Sequence, residues 1–204
     1  MSTYVKSKVV FAGDAAVGKT SIIYKYKDIK ERVQATIVAS SISCEVDYQD
    51  KKVTLNVWDT AGQDDYRVLV PVYARSAQIG VIVFDQTSID SLEHVTEWYN
   101  FLSNASDIPY IVLVQNKIDL PPAEGVTDEH VKEIADKLGI GEHIYKTSAK
   151  DGQNIEILFY ALAELVEKCE SSNTPDDVVI FPTPPPNTSG SENETSGDTG
   201  KRCC

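Results

Sequence analysis

The chain has 204 residues, of which 42% are hydrophobic and 25% charged, a balance that allows one globular domain with an appendage. Acidic residues outnumber basic ones 31 to 19, so the formal net charge is −12. A surface this negative repels phosphate backbones, which argues against DNA or RNA as a partner. A nucleotide can still be held by backbone N–H groups, a local cation and a metal ion.

The four cysteines form no C-x-x-C or Cys/His cluster, which argues against a zinc site. Cys44 and Cys169 lie in apolar-periodic segments and are expected to be buried free thiols. The start of the chain has no apolar run long enough for a secretory signal, and no stretch of about 18 apolar residues occurs. We therefore expect a protein of the reducing cytosol.

Short β-branched runs alternate with helical patterns in the first part of the chain. Residues 8–12 predict a strand, residues 19–27 a helix, and two strand-like runs around the polar turn 48–51 a hairpin. Residues 79–84 and 110–114 are continuously apolar, as expected of strands covered by helices on both faces.

Helical spacing of apolar residues recurs later in the chain. Residues 92–102 show it behind a candidate cap at Asp90 or Ser91, and residues 127–138 and 154–170 show it again. Alternation of strands and helices predicts the α/β class, a three-layer sandwich around a mostly parallel sheet.

The composition changes after residue 170. Residues 171–204 are rich in Pro, Ser, Thr, Gly and Asn, and they predict a flexible tail with one apolar patch at residues 178–181. The glycosylation sequons at Asn187 and Asn193 would not be used in the cytosol. The domain boundary is accordingly expected between 1–170 and 171–204.

A phosphate-binding loop is predicted at residues 13–20, which match G-x-x-x-x-G-K-[ST] between a strand and a helix. Lys19 would bridge the β- and γ-phosphates, and the Thr20 hydroxyl would ligate Mg²⁺. Asp14 suits an anion-binding loop only if its side chain points outward. The residues expected to contact the nucleotide here are Gly13, Ala15, Ala16, Val17, Gly18, Lys19, Thr20 and Ser21.

Two more motifs follow predicted strands. Asp59 ends the third strand-like run, where it can hold Mg²⁺ through water, while Gly62 can offer its N–H to the γ-phosphate and Gln63 can orient an attacking water. A carboxylate that accepts from both guanine donors would repel adenine, and Asp119 is placed for this. The residues expected around the base are Asn116, Lys117, Asp119, Ser148, Ala149 and Lys150.

With these motifs in this order, residues 5–170 resemble the Ras-like small GTPases. The resemblance implies a P-loop NTPase fold with six strands, one edge hairpin and five helices, GDP and GTP as ligands with Mg²⁺, and slow hydrolysis of GTP. It also implies that Thr36 is the second Mg²⁺-ligating hydroxyl and senses the γ-phosphate. From the sequence alone, Thr36 is equally well an ordinary strand-entry threonine.

Within that superfamily the chain is most similar to the Rab branch. The similarity lies in residues 58–63, residues 73–77 and the terminal Cys203-Cys204. The similarity implies a regulator of vesicle traffic, geranylgeranylated at both cysteines and held reversibly on the cytosolic face of an endomembrane. Two lipid chains make anchoring stable where one does not. The implied partners are an exchange factor, a GTPase-activating protein, effectors at the switch segments and Trp58, a prenylation escort and a GDP-dissociation inhibitor, with the protein itself a monomer.

Several positions depart from the family pattern. Thr20 and Thr36 are 16 positions apart, about two fewer than usual, and Ile29 stands where relatives carry an aromatic residue against guanine. Val38 replaces a common glycine, Asp64 the usual glutamate, and Ala15 a loop glycine of Ras-type proteins.

Two alternatives remain at this point. A P-loop kinase or ATPase would share residues 13–20, but it would have no use for the base motif at residues 116–119. The other alternative is a nucleotide-bound recruiting platform that hardly hydrolyses GTP, which Ala15 and the shortened first switch leave open.

Overall fold

A six-stranded sheet forms the centre of the computed structural model, which describes residues 5–30, 36, 39–63, 67, 69–105 and 107–172. The order across the sheet is β2-β3-β1-β4-β5-β6. The strands are β1 Val5–Ala12, β2 Ala39–Tyr48, β3 Lys51–Thr60, β4 Ile79–Asp85, β5 Tyr110–Asn116 and β6 Ile144–Lys146.

Among the strands that the structure describes, only the β2–β3 pair is antiparallel. Tyr48 pairs with Lys51, so the hairpin turns through two residues, and Gln49 takes the positive φ of 51° that such a turn needs. The predicted mostly parallel sheet with an antiparallel edge hairpin is therefore confirmed.

Six helices occur in the part of the chain that the structure describes. They are α1 Lys19–Tyr26, α2 Val70–Ala74, α3 Ile89–Glu93, α4 Val95–Ser103, α5 Asp128–Lys137 and α6 Ile155–Ser172. The family resemblance implies five, and the helix predicted over residues 92–102 is divided between α3 and α4 at His94. The cap of α3 is Ser88, whose hydroxyl accepts from the backbone N–H of Ser91. The predicted cap at Asp90 or Ser91 is therefore wrong, because both residues lie within the first turn of the helix.

The core divides between the two faces of the sheet. Along β1, Val9 and Phe11 pack in a cluster with α1 and α6, while Val10 and Ala12 pack in a second cluster with α4 and α5. Successive residues of a strand point to opposite faces, so a sheet covered on both sides needs the continuous apolar runs seen in the sequence. The two faces make the predicted three-layer sandwich.

Both predicted core thiols are buried free cysteines, and burial raises the pKa of Cys44 to about 11. None of the described helices is long and apolar enough to cross a membrane. The predictions for Val38, Asp64, residues 178–181, Cys203 and Cys204 lie outside the described residues.

Candidate functional site

The loop between β1 and α1 lines a cavity of about 400 Å³ at the carboxyl edge of the sheet. Ala16 and Gly18 have positive φ values of 62° and 102°, a conformation that turns successive backbone N–H groups toward one centre. A Cβ on Gly18 would collide with the Asn116 amide, so only glycine fits there. The cavity is lined by Ala15, Ala16, Gly18, Lys19, Thr20, Ser21, Thr36, Thr60, Gly62 and Gln63.

Lys19 is the buried cation of this cavity, with 6% of its surface exposed. Its ammonium donates to the carbonyl oxygens of Gly13 and Asp14, both at 2.8 Å. Burial lowers the pKa of Lys19 to about 8, against the opposing attraction of Asp59 and Asp14. A buried ammonium held by two neutral carbonyls is poorly compensated, so an anion entering the cavity would be favoured.

Three oxygen-bearing side chains from separate elements meet beside Lys19. Asp59 Oδ2 at the end of β3 accepts from the Thr20 hydroxyl at 2.6 Å and from the Thr36 hydroxyl at 2.9 Å. The two hydroxyl oxygens lie 3.1 Å apart. Asp59 is 1% exposed, and its Oδ1 has no hydrogen-bond partner among the described residues.

Burial raises the pKa of the Asp59 carboxyl above its usual range, while hydrogen bonds from Thr20 and Thr36 oppose that rise. Oxygen ligands of this kind suit a hard cation such as Mg²⁺, and the unpartnered Oδ1 offers a further acceptor. The residues therefore fit Mg²⁺, which the sequence motifs predicted at Thr20 and Asp59 and the family resemblance implied at Thr36.

Gly62 lies directly against the phosphate-binding loop. A Cβ at this position would overlap the backbone of Asp14 and Ala15, so no other residue allows this approach. Gln63 follows with an exposed side chain at the wall of the same cavity. The structure thus brings both residues of this motif to the loop, as their sequence pattern indicates.

Asn116 connects the phosphate-binding loop with the candidate base-binding motifs. Its side-chain NH₂ donates to the carbonyl of Val17 at 2.8 Å. Its Oδ1 accepts from the backbone N–H of Ala149 and from the Thr147 hydroxyl, each at 3.2 Å. One buried amide therefore connects three segments that are distant in sequence.

Asp119 lies beside the segment that follows β6. Its Oδ1 accepts from the Ser148 hydroxyl at 2.8 Å, and its Oδ2 lies 3.4 Å from the Lys150 ammonium. The hydrogen bond from Ser148 lowers the pKa of Asp119. The carboxylate is thus kept ionised and able to accept two hydrogen bonds.

Lys117 contacts a residue that the sequence analysis did not single out. Its ammonium lies 2.6 Å from Oδ2 of Asp85, the last residue of β4. Asp85 is paired with Asn116 in the sheet register. Its position directly after the predicted strand at residues 79–84 was the sequence signal that could have placed it near Lys117. The pair fixes the side chain of Lys117 next to the loop that carries Asp119.

Asp14 points away from the cavity, as its place in an anion-binding loop requires. Its carboxylate contacts Arg67, His94 and Trp98, none of which was predicted to belong to the site. The sequence indicated only that the Asp14 side chain should point outward, and it gave no signal for these three partners.

The remaining predicted positions lie around this centre. Ile29 is half-buried, and its backbone N–H donates to the carbonyl of Tyr24. Trp58 stacks on Tyr73 with ring centroids 5.7 Å apart, and the Lys8 ammonium lies 4.8 Å from the Trp58 ring. Val72, next to Tyr73, is 57% exposed. The Trp58–Tyr73 pair and the exposed Val72 therefore lie close together in the chain's fold, on the strand that leads to Asp59 and on α2.

Comparisons with known proteins agree with this geometry. The Ras family model matches residues 8–168. The Ras-related protein Rab-21 of Geodia cydonium is 36% identical over 165 residues, covering 79% of this chain and 71% of that protein. The chain therefore belongs to the Ras family, in its Rab branch, and is a GTPase.

Proposed function

We propose that the chain is a GDP/GTP switch that regulates membrane traffic and hydrolyses GTP slowly by itself. The single observation that carries the proposal is the meeting of Thr20, Thr36 and Asp59 beside the buried ammonium of Lys19. A cation site and an anion site in one cavity match a magnesium nucleotide, and Asn116 connects that cavity with the candidate base pocket.

Phosphate binding is assigned to the loop at residues 13–20, with Lys19 on the terminal phosphates. The hydroxyls of Thr20 and Thr36 and, through water, the Asp59 carboxylate would hold Mg²⁺. When bound, Mg²⁺ neutralises charge on the β- and γ-phosphates. The Gly62 N–H is assigned to the γ-phosphate and Gln63 to the attacking water.

Guanine recognition is assigned to Asp119, which would accept from the ring N–H and the exocyclic amine. Ser148, Ala149 and Lys150 support that base pocket, and Asn116 and Lys117 align it with the phosphate-binding loop. Adenine presents a mismatched edge, so the carboxylate would be left unpaired in a desolvated site.

Switching follows from the separate origins of these contacts. Thr36 and Gly62 belong to different segments, and both would reach the γ-phosphate only in the GTP form. Loss of that phosphate would remove one contact from each segment, and both would relax. Exchange factors, activating proteins and effectors would bind this surface together with Trp58 and Tyr73.

Membrane attachment is assigned to the lipidated Cys203 and Cys204, with a prenylation escort and a GDP-dissociation inhibitor as carriers. We propose reversible association with the cytosolic face of an endomembrane. The double-cysteine ending and the similarity to a Rab protein support this assignment.

Single-turnover phosphate release from the full-length chain tests the assignment. We expect a rate of about 10⁻⁴–10⁻³ s⁻¹ from GTP with Mg²⁺, raised about 10³–10⁵-fold by an activating protein that supplies an arginine. ATP should give no product. Thr20→Val should remove the response to Mg²⁺, whereas Thr96→Val, on the exposed face of α4, should keep it. GTP binding without phosphate release, even with an activating protein, would favour the recruiting platform.

A further inference from the structure

The Asp14 carboxylate receives contacts from three side chains outside its own loop. Trp98 Nε1 donates to Oδ1 at 2.8 Å, and an Arg67 guanidinium N–H donates to the same oxygen at 3.1 Å. His94 Nδ1 lies 2.7 Å from Oδ2. Because an ionised carboxylate only accepts, the last contact requires the hydrogen of the imidazole on Nδ1.

Arg67 spans two carboxylates. Its Nη2 contacts Asp14, and its Nη1 donates to Oε2 of Glu97 at 2.7 Å, while the guanidinium carbon lies 5.0 Å from the centre of the Trp98 ring. The Arg67 side chain is 15% exposed, and that of Asp14 17%. A planar guanidinium with both ends bonded and one face on an aromatic ring has little freedom to move.

Asp14 is contacted by two residues that lie on either side of Gln63 in the sequence, Gly62 and Arg67. Gly62 packs against the backbone of Asp14, and Arg67 is bonded to its carboxylate. Gln63 lies between these anchors, one residue after the first and four before the second. The Asp14 carbonyl also accepts from Lys19, so this residue contacts the phosphate-binding cation as well.

We propose that Arg67 is a positioning residue for GTP hydrolysis, because its contact with Asp14 holds Gln63 at the phosphate end of the cavity. The inference rests on the proposed role of Gln63 and adds to it. Arg67 touches neither phosphate nor water in this role. It limits the positions available to Gln63, and so its loss slows the chemical step rather than nucleotide binding.

Removal of the Arg67 side chain gives the first test, with single-turnover GTP hydrolysis and mant-GDP release measured on the full-length protein. Arg67→Ala should slow hydrolysis by about tenfold, since a misplaced reacting group costs up to about 10²-fold. Release of mant-GDP should stay within about twofold of wild type, because no nucleotide contact is removed. Arg75→Ala is the matched control, because the Arg75 side chain is exposed, and its hydrolysis should equal that of wild type.

A double-mutant cycle separates positioning through Asp14 from an unrelated effect. Asp14→Ala and Arg67→Ala together should be no slower than the slower single variant by more than about twofold, since two ends of one contact are not additive. Arg67→Lys keeps the charge but cannot bridge both carboxylates, so its rate should fall between those of wild type and Arg67→Ala.

Wild-type hydrolysis by Arg67→Ala would overturn the inference, as would rate losses that multiply in the double variant. Equal losses in hydrolysis and nucleotide retention would also overturn it, because they would indicate general damage to the fold. A wild-type chain that binds no GTP would instead contradict the proposed function itself.

Discussion

The base end and the phosphate end of the site are built in different ways. At the base end, the Asn116 amide makes hydrogen bonds with the backbone of Val17 and Ala149, and Lys117 forms an ion pair with Asp85. Backbone groups and a strand-end carboxylate therefore hold these two side chains in place. At the phosphate end, polar groups mainly satisfy one another. The Thr20 and Thr36 hydroxyls donate hydrogen bonds to Asp59, and the Lys19 ammonium donates to two carbonyl oxygens of its own loop.

This difference indicates which contacts change when ligand binds. The bonds at the phosphate end are made by groups whose proposed partners are phosphate and Mg²⁺, so binding would replace them. The hydrogen bonds and ion pair of Asn116 and Lys117 at the base end join protein groups to one another, so we expect them to persist when ligand binds. We therefore expect base selectivity to depend on contacts that stay in place when ligand binds, and the response to the γ-phosphate to depend on contacts that binding replaces.

The largest effect is expected at the base end. Asp119→Asn should weaken GTP binding by about 10³-fold and shift preference toward xanthine nucleotides, because two charge-assisted hydrogen bonds contribute about 2 kcal/mol each. Competition of GTP, XTP and ATP against mant-GDP measures this change. Asp128→Asn, a surface control paired with Lys146, should bind as wild type does. An unchanged preference for GTP would show that Asp119 does not contact the base.

At the phosphate end, Gln63→Leu should slow hydrolysis by about 10–10²-fold while leaving GTP affinity nearly unchanged, because the proposed role of Gln63 is to orient water rather than to contact nucleotide. Single-turnover assays at saturating GTP measure the rate. Gln153→Leu, with an exposed side chain beyond β6, should hydrolyse at the wild-type rate. Equal rates for Gln63→Leu and wild type would remove Gln63 from the mechanism.

Nucleotide binding should depend on pH through Lys19, whose pKa burial lowers to about 8. Phosphates favour the protonated form, so binding at pH 9 should take up most of one proton, and affinity should fall about tenfold between pH 7 and pH 9. Calorimetry of GDP binding in two buffers of different ionisation enthalpy counts the protons. A binding enthalpy at pH 9 that is the same in both buffers would contradict the role of Lys19.

The same pKa has the opposite consequence for folding of the ligand-free chain. The unfolded lysine titrates near its ordinary value of 10.5, so the unfolded state binds more protons between about pH 8 and 10.5. The contribution of Lys19 to stability therefore increases with pH over that window, while nucleotide affinity decreases. The free energy of unfolding from denaturant titrations and the affinity for GDP should therefore change in opposite directions with pH. This would show that weaker GDP binding at high pH is not caused by unfolding.

The smallest effect concerns Ile29, which stands where relatives carry an aromatic residue. Ile29→Phe should slow mant-GDP release by about fivefold, because an aromatic contact contributes about 1 kcal/mol. Stopped-flow dissociation gives the rate, with Ile157→Phe on the exposed face of α6 as the control. Release at the wild-type rate from Ile29→Phe would show that this position does not control nucleotide retention.

Sequence periodicity predicted most of the fold, because strands buried on both faces need continuous apolar runs such as residues 79–84 and 110–114. The division between α3 and α4 at His94 carries no comparable signal. Ser88 was missed as a cap for a related reason, since α3 begins before the apolar spacing that marked the helix.

For the candidate site, ordered motifs predicted which residues would lie at the sheet edge, because each motif follows its own strand. The donors to Asp14 could not be predicted in the same way. Arg67, His94 and Trp98 belong to no motif, and they are brought together only in three dimensions, where each contacts the Asp14 carboxylate. The sequence indicated that the Asp14 side chain should point outward, but not what it would contact.

Native mass spectrometry of the full-length protein purified from its own cells is the decisive experiment. We expect one bound GDP or GTP per chain, with Mg²⁺, and the same spectrum would show whether the C-terminus carries lipid. A chain that carries no nucleotide and takes up neither GDP nor GTP when they are added would refute the proposed switch, as would one that retains an adenine nucleotide instead.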